Sequence, residues 1–183
     1  MIQSFPPVFQ ENAGCLILGS MPSVRSLADG FYYAHPRNAF WPLIAGVFEE
    51  AVPDGRPQKI SLLTRHRIAL WDSAAACERE GSLDSAIRSA QPNDIPGLLA
   101  RCPGIRAVLF NGKTAQAMCL RFYPELAGSG SGLALRLLPS TSPANTMPFA
   151  QKFRIWREAV EEALYGSSED YRQEAGRAGT DPR

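Results

Sequence analysis

The sequence predicts an α/β protein: a three-layer α/β/α sandwich with a central, mostly parallel four-stranded sheet. Short apolar runs such as Cys15-Leu16-Ile17-Leu18 read as strands buried on both faces. Segments with apolar residues at helical spacing lie between those runs. Strand and helix alternate along the chain, the order that builds a parallel sheet covered on both sides.

Residues 1–13 mix prolines and polar residues with the anchors Phe5, Val8 and Phe9, and form a lead-in. Cys15–Leu18 is the first strand, bounded by Gly14 and Gly19. Residues 38–50 are helical: Phe40, Leu43, Ile44, Val47 and Phe48 recur at helical spacing, and Pro42 falls in the first turn, where proline is tolerated. Pro57–Arg65 is a short helix. Ile68–Ala76 opens apolar and is the second buried strand, with Trp71 and Asp72 near its exit. Ser82–Ala90 and Asn93–Arg101 are short helices, with Asp84 and Asp94 near their starts, where negative charge is favourable. Ala107–Phe110 is the third strand and stops at Asn111-Gly112. The helix Lys113–Phe122, the fourth strand Leu133–Leu138 and the amphipathic helix Thr146–Leu164 complete the order. From Gly166 to Arg183 the composition is Gly-, Ser- and charge-rich and cannot bury enough surface to order itself. One domain over 1–165 and a disordered tail over 166–183 are therefore expected.

A chain of 183 residues can bury one sizeable core. Its formal net charge of +1 implies no strong global attraction to nucleic acid, while leaving room for a local basic face. Cys15, Cys77, Cys102 and Cys119 lie far apart, with no CxxC and no Cys/His cluster. No metal site is expected; scattered cysteines leave an iron–sulfur cluster as a minor alternative to four reduced, buried thiols. Neither a basic region followed by an apolar one at the start nor a membrane-length apolar run is present, so a cytoplasmic location and no membrane contact are expected.

The chemistry concentrates in two loops that follow apolar runs. The first, Gly19–Trp41, reads GSMPSVRSLADGFYYAHPRNAFW; the second is Leu138-Pro139-Ser140-Thr141-Ser142-Pro143-Ala144-Asn145. A long non-periodic loop inside a compact domain is usually functional, and open α/β sheets place their sites at strand exits. Asn38 offers an acceptor and two donors but no useful proton-transfer pKa. It suits holding a water or the amide edge of a base, and equally suits capping a helix. Of Tyr32 and Tyr33, one ring is expected to stack on a flat base, a contact worth roughly 1–3 kcal/mol; core-edge packing is the plainer role. His35 precedes a proline and is more readily structural than catalytic; His66 is the other histidine. Asp72 can accept from a base N–H or form a cap or salt bridge. Ser140, Thr141 and Ser142 suit turn chemistry or phosphate contact. Arg25, Arg37, Lys113 and Lys152 are candidates for phosphate contact, each more simply a solvated surface charge. Neither GxSxG, GxGxxG nor a P-loop is present, which removes the usual hydrolase, dinucleotide and kinase signatures.

Together, GSMPS-x2-SL-x4-YYAHPRNAFW and LPSTSPAN resemble the uracil-DNA glycosylase superfamily, and within it the hypoxanthine-DNA (deoxyinosine) glycosylase branch. The likeness extends through Ile68-Ala69-Leu70-Trp71-Asp72, Gly81-Ser82-Leu83-Asp84-Ser85 and Phe110-Asn111-Gly112, and covers residues 12–165. It implies a uracil-DNA glycosylase-like fold and cleavage of the bond between a damaged base and deoxyribose, with no metal and no cofactor. Met21 stands where other branches carry a water-activating acid or amide, and the second loop lacks the histidine of uracil-specific members; both departures argue against ordinary uracil excision. The resemblance assigns the required asparagine to Asn38 and the stacking ring to Tyr33. It places Gly19, Ser20, Met21, Pro22 and Asp72 around the base. Ser140, Thr141, Ser142, Pro143, Ala144 and Asn145 would grip the DNA backbone and push into the gap left by the base. It further implies damaged DNA as partner, a monomer, and nucleoid association. The alternatives are the same fold with uracil or xanthine preference, a non-catalytic module that binds damaged DNA, and, more weakly, a small-metabolite hydrolase.

Overall fold

The computed structural model describes residues 1–166. The tail expected to be disordered lies, but for Gly166, outside the described residues. The chain opens on β1 (Ile2–Gln3) and runs β2 (Cys15–Gly19), α1 (Val24–Asp29), α2 (Phe40–Val47), α3 (Arg56–Arg65), β3 (Ile68–Asp72) and β4 (Ala74–Glu78). It continues through β5 (Arg88–Pro92), α4 (Ile95–Arg101), β6 (Ala107–Asn111), α5 (Lys113–Phe122), β7 (Ala134–Leu138) and α6 (Phe149–Tyr165).

The central sheet has the order β3-β2-β6-β7, parallel at every pairing. All five residues of β2 and of β6 are buried, as two covered faces require. The period of two sorts them: Cys15, Ile17, Ile68, Leu70, Ala107 and Leu109 join one core under α2, α3 and α6. Leu16, Leu18, Ala69, Val108 and Phe110 join a second core under α4 and α5. From β2 the chain crosses to β3 on one side, and the later strands β6 and β7 are added on the other. The order therefore reverses at β2/β6, where crevices form outside the carboxyl ends of the strands.

Several boundaries differ from expectation. Ile68–Ala76 is two strands, not one. At Ser73 the N–H donates to Gly19 O (2.8 Å) and the hydroxyl donates to Ala115 O (2.9 Å), which takes the chain out of the parallel ladder. β4 then forms a small antiparallel sheet, order β1-β4-β5. The helix expected over Ser82–Ala90 is absent; a 3-10 turn at Asp84–Ala86 and strand β5 replace it. Leu83, Ala86, Ile87 and Ala90 do recur at helical spacing, but Arg88–Pro92 pairs with β4 instead, and the serines favour turns. Helix α1 has too little apolar periodicity to be read from sequence; Ser23 Oγ accepts from the Ser26 N–H at its start, and Gly30, at φ 70°, closes it. The helix expected over residues 38–50 is the shorter α2. The last helix starts at Phe149 rather than Thr146, because Pro148 biases the residue before it towards extended backbone.

The lead-in is a strap. Val8 and Leu70 exchange both backbone hydrogen bonds (2.8 and 2.9 Å) at the sheet edge. All four cysteines are free and buried; burial pushes the Cys15 thiol up to about 12 and the Cys119 thiol to about 11. Among the described residues, no helix is long and apolar enough to cross a membrane.

The first loop is anchored by α2. Trp41 stacks on Phe31 (centroids 6.0 Å apart), and its indole N–H donates to Tyr32 O (3.0 Å) in a buried setting. Trp41→Phe keeps an aromatic ring but orphans that carbonyl. It is expected to destabilise the protein by about 1–3 kcal/mol in urea unfolding; unchanged stability would show that the loop needs no such anchor.

Candidate active site

Three strand ends build the floor. Gly19, Asp72 and Asn111 continue the row of Cys15/Ile17, Ile68/Leu70 and Ala107/Leu109, so they face the same side of the sheet. Gly19 is paired with Asp72 in register. A Cβ at Gly19 would lie 2.4 Å from Asp72 Oδ1 and 2.8 Å from Tyr33 Oη. Only glycine leaves room there for both side chains.

Above this floor lies a cleft of about 620 Å³, lined by both sequence-predicted loops, a size suited to a small ligand. It brings together Gly19, Ser20, Met21, Pro22, Tyr33, His35, Asn38 and Asp72 from one side and Ser140 to Asn145 from the other. The rim also includes Ser82, Leu83 and Asp84. The loops touch directly: the Ala39 N–H donates to Thr141 O (3.0 Å).

Asn38 is half-buried. Its N–H donates to His35 O (2.8 Å), and its Oδ1 accepts the Phe40 N–H (3.0 Å). The formal cap of α2 is Ala39, so Asn38 serves a helical N–H from one residue earlier. That bond fixes the amide and leaves a second lone pair on Oδ1. Tyr32 is spent in the core: it is 2% exposed, and its hydroxyl donates to Phe5 O and Pro6 O. Tyr33 belongs to the cleft. It adopts φ 52°, its ring stacks on Phe40 at 4.1 Å, and its hydroxyl is buried without a hydrogen-bond partner among the described residues. Burial first, then the Asp72 charge, holds that phenol above its usual range.

Asp72 is 2% exposed, and Ser4 Oγ–H donates to its Oδ2 (2.7 Å). Burial raises its carboxyl from 3.8 to about 7; the Ser4 bond and Arg79 pull it down, and Asp84 pushes it up. A carboxyl poised there can accept or donate at neutral pH. Ser20 Oγ–H donates to Asp84 Oδ1 (2.7 Å). Met21 packs with Ala74 and Cys77, and Arg79 holds the buried Pro22 through its carbonyl.

The second loop is held from below. Asn111 Nδ2–H donates to Thr141 Oγ1, and the Thr141 N–H donates to Asn111 Oδ1, both 2.9 Å. Thr141, expected among the backbone-gripping residues, is 1% exposed, and its N–H, hydroxyl oxygen and carbonyl are all engaged inside the protein. Lys152, expected on the surface as a phosphate contact or a solvated charge, is 4% exposed; its ammonium donates to Asn145 O (2.8 Å). One helical turn on, the Trp156 indole N–H donates to Pro139 O (2.9 Å). The i, i+4 pair thus holds both ends of the turn. Within it, Ser140 Oγ accepts the Ser142 N–H, Ser142 Oγ accepts the Ala144 N–H, and Asn145 Nδ2–H donates to Ser140 O. Pro143 and Ala144 are exposed at the tip.

His35 accepts the Arg37 N–H at Nδ1. His66 stacks on Phe48 and contacts Glu50; these residues do not line the cleft. Arg25 lines it and pairs with Asp29 (2.8 Å), while Arg37 and Lys113 are exposed outside it. Among the described residues, no group of three or more His, Cys, Asp or Glu side chains is placed to hold a metal ion. Sequence reasoning stopped the third strand at Asn111-Gly112 but gave Asn111 no part; a polar residue ending an apolar strand was the available signal. Ser4 carries no such signal, because its contact with Asp72 spans 68 positions.

The family model described as the uracil DNA glycosylase superfamily matches residues 6–164. A protein named hypoxanthine DNA glycosylase from Methanosarcina acetivorans is 38% identical over 164 residues, covering 89% of this chain and 97% of its own. One of the same name from Methanosarcina barkeri is 35% identical over 158 residues, covering 86% and 96%. The solution NMR structure of a Methanosarcina acetivorans protein, described provisionally as a uracil DNA glycosylase, matches with TM-score 0.74 and 35% identity over 88% of this chain and 97% of that one.

Asp72 makes stability depend on pH. Below pH ~4 the carboxyl is protonated in the folded and unfolded chains alike. From there up to about 7 the unfolded chain releases a proton that the folded one keeps, so this group lowers stability as pH rises. Asp72→Asn is expected to flatten the fall of Tm across that window relative to wild type. Parallel Tm profiles would show that the folded carboxyl titrates normally.

Proposed function

This chain belongs to the uracil DNA glycosylase superfamily, and we propose that it excises a deaminated base, hypoxanthine foremost, from DNA by hydrolysing the N-glycosidic bond. The single observation that carries the reading is the placement of the Asn38 amide and the Ser140–Asn145 turn on one cleft, joined through Ala39 and Thr141. The two relatives named hypoxanthine DNA glycosylase support the choice of base.

A base inside a duplex is out of reach, so its nucleotide must leave the stack; a mispaired deaminated base does so at least cost. The extruded base lies against Tyr33. Its edge is read from the floor by Asp72, a carboxyl able to accept from or donate to a purine near neutral pH. Bond cleavage builds positive charge on the sugar. Backbone donors of Gly19–Met21, beside Pro22, steady the negative charge that grows on the departing base. Asn38 aims water at C1′ from the sugar face opposite the base. An amide is adequate here, because water adds to an already cationic sugar and needs orientation more than deprotonation. Ser140, Ser142, Pro143, Ala144 and Asn145 meet the DNA backbone beside the extruded nucleotide.

The protein acts on damaged DNA as a monomer, without metal or cofactor, in the cytoplasm at the nucleoid. Asn38→Ala is expected to fold normally and to lose about 10²-fold or more in single-turnover release of hypoxanthine from a deoxyinosine duplex. A variant as active as wild type would remove Asn38 from the chemistry. Parallel duplexes carrying deoxyuridine or deoxyxanthosine rank the bases; tight binding without base release would favour a non-catalytic module. EDTA is expected to leave cleavage unchanged, and chelator-sensitive cleavage would reveal a required metal.

A further inference from the structure

The two oxygens of Asp72 keep different company. Oδ1 and the Tyr33 hydroxyl crowd the space in front of Gly19, and all three residues line the cleft. Oδ2 accepts the Ser4 hydroxyl (2.7 Å), and Ser4 does not line the cleft. Among the described residues, no other side chain donates to this carboxyl. Asn93 fixes the main chain at the same point, its Nδ2–H donating to Asp72 O (2.8 Å) and to Ala74 O (3.0 Å). The backbone and one oxygen are thus held, and Oδ1 is left for a ligand.

The Ser4 hydroxyl is not what docks the strap. The Ser4 N–H donates to Ala75 O (2.8 Å), and β1 pairs with β4 just before it. Just after it, Phe5 O accepts the Trp71 indole N–H (3.0 Å) and, with Pro6 O, the Tyr32 hydroxyl. These bonds use main-chain groups of the strap, so alanine at position 4 keeps it in place. What the hydroxyl adds is a donor to Asp72. That donor restrains rotation of the carboxyl. When Asp72 is neutral, it also makes Oδ2 the accepting oxygen and places the proton on Oδ1.

We propose that Ser4 is a positioning residue for base recognition: it holds Asp72 by Oδ2 so that Oδ1 meets the extruded base. This rests on the functional reading above. It makes the N-terminal strap part of the site, although no residue of the strap lines the cleft. The Ser4 bond and Arg79 favour the ionised carboxyl, against burial and the Asp84 charge; the Tyr32 and Tyr33 phenols face it from the first loop.

The test compares wild type, Ser4→Ala, Ser4→Thr, Asp72→Ala and the double variant Ser4→Ala/Asp72→Ala. Affinity is measured for a duplex carrying 2′-fluoro-2′-deoxyinosine, which resists cleavage, and for one carrying a tetrahydrofuran abasic analogue, which has no base to read. Ser4→Ala is expected to weaken binding of the fluorinated duplex about tenfold and to leave the abasic duplex unchanged. Ser4→Thr should restore most of that affinity, and Ser4→Ala should lose nothing further in the Asp72→Ala background. Without DNA, the fall of Tm with pH that ends near about 7 in wild type should continue about one pH unit further in Ser4→Ala, because the folded carboxyl keeps its proton longer. Equal weakening on both duplexes, equal affinity of Ser4→Ala and wild type, or an undiminished loss in the Asp72→Ala background would overturn the proposal. If wild type neither releases a base nor binds the fluorinated duplex more tightly than an undamaged one, the functional reading fails. The Tm profile then still decides the hold of Ser4 on Asp72: a profile unmoved in Ser4→Ala rejects it.

Discussion

The site depends on how Thr141 is held. Its N–H and hydroxyl engage the two ends of the Asn111 amide, and its carbonyl accepts from Ala39, next to Asn38. One residue thus joins the end of β6, the second loop and the start of α2. The bonds are buried, so each is worth more than its solvated equivalent and costly to leave unmade. Lys152 and Trp156 hold the turn from below by its carbonyls, and the side chains of Ser140, Ser142 and Asn145 brace it from within. On the proposed function, such anchoring would keep the loop at a fixed distance from the reacting sugar.

The floor of the cleft works by subtraction. At Gly19 the missing Cβ admits an aspartic acid and a phenol to the same spot, and both are held towards their protonated forms. A carboxyl poised near neutrality can meet a heterocycle in its protonated form, without a full charge to desolvate, or in its ionised form. This suits a family in which the base leaves and the protein need not attack it.

Much of this was legible in the chain. Cys15–Leu18 and Ala107–Phe110 read as strands because they are apolar on both faces, and the loops after Cys15–Leu18 and Leu133–Leu138 are conspicuous because Gly19 and Pro139 halt those runs. The residues alone marked Asn38, the Tyr32/Tyr33 pair and Asp72 as candidates, and the family resemblance chose Tyr33 and gave Asn38 its role. What escaped depends on contacts distant in sequence. The bend at Ser73 is fixed by Gly19 and Ala115, and the strap that delivers Ser4 is fixed by Leu70. Lys152 looks like any surface lysine until α6 is docked with Trp156 inward. Strand β5 pairs at an irregular register and is largely exposed, so neither periodicity nor composition marks it.

The four cysteines have a chemical consequence. Reactive sulfur is thiolate, and burial keeps Cys15 and Cys119 protonated far above neutral pH. A protein that meets DNA lesions shares surroundings with the alkylating and oxidising agents that make them, and here those agents find no ready cysteine thiolate while the chain stays folded. The thiols become visible only on opening, so the rate at which a maleimide labels them is a clock for unfolding.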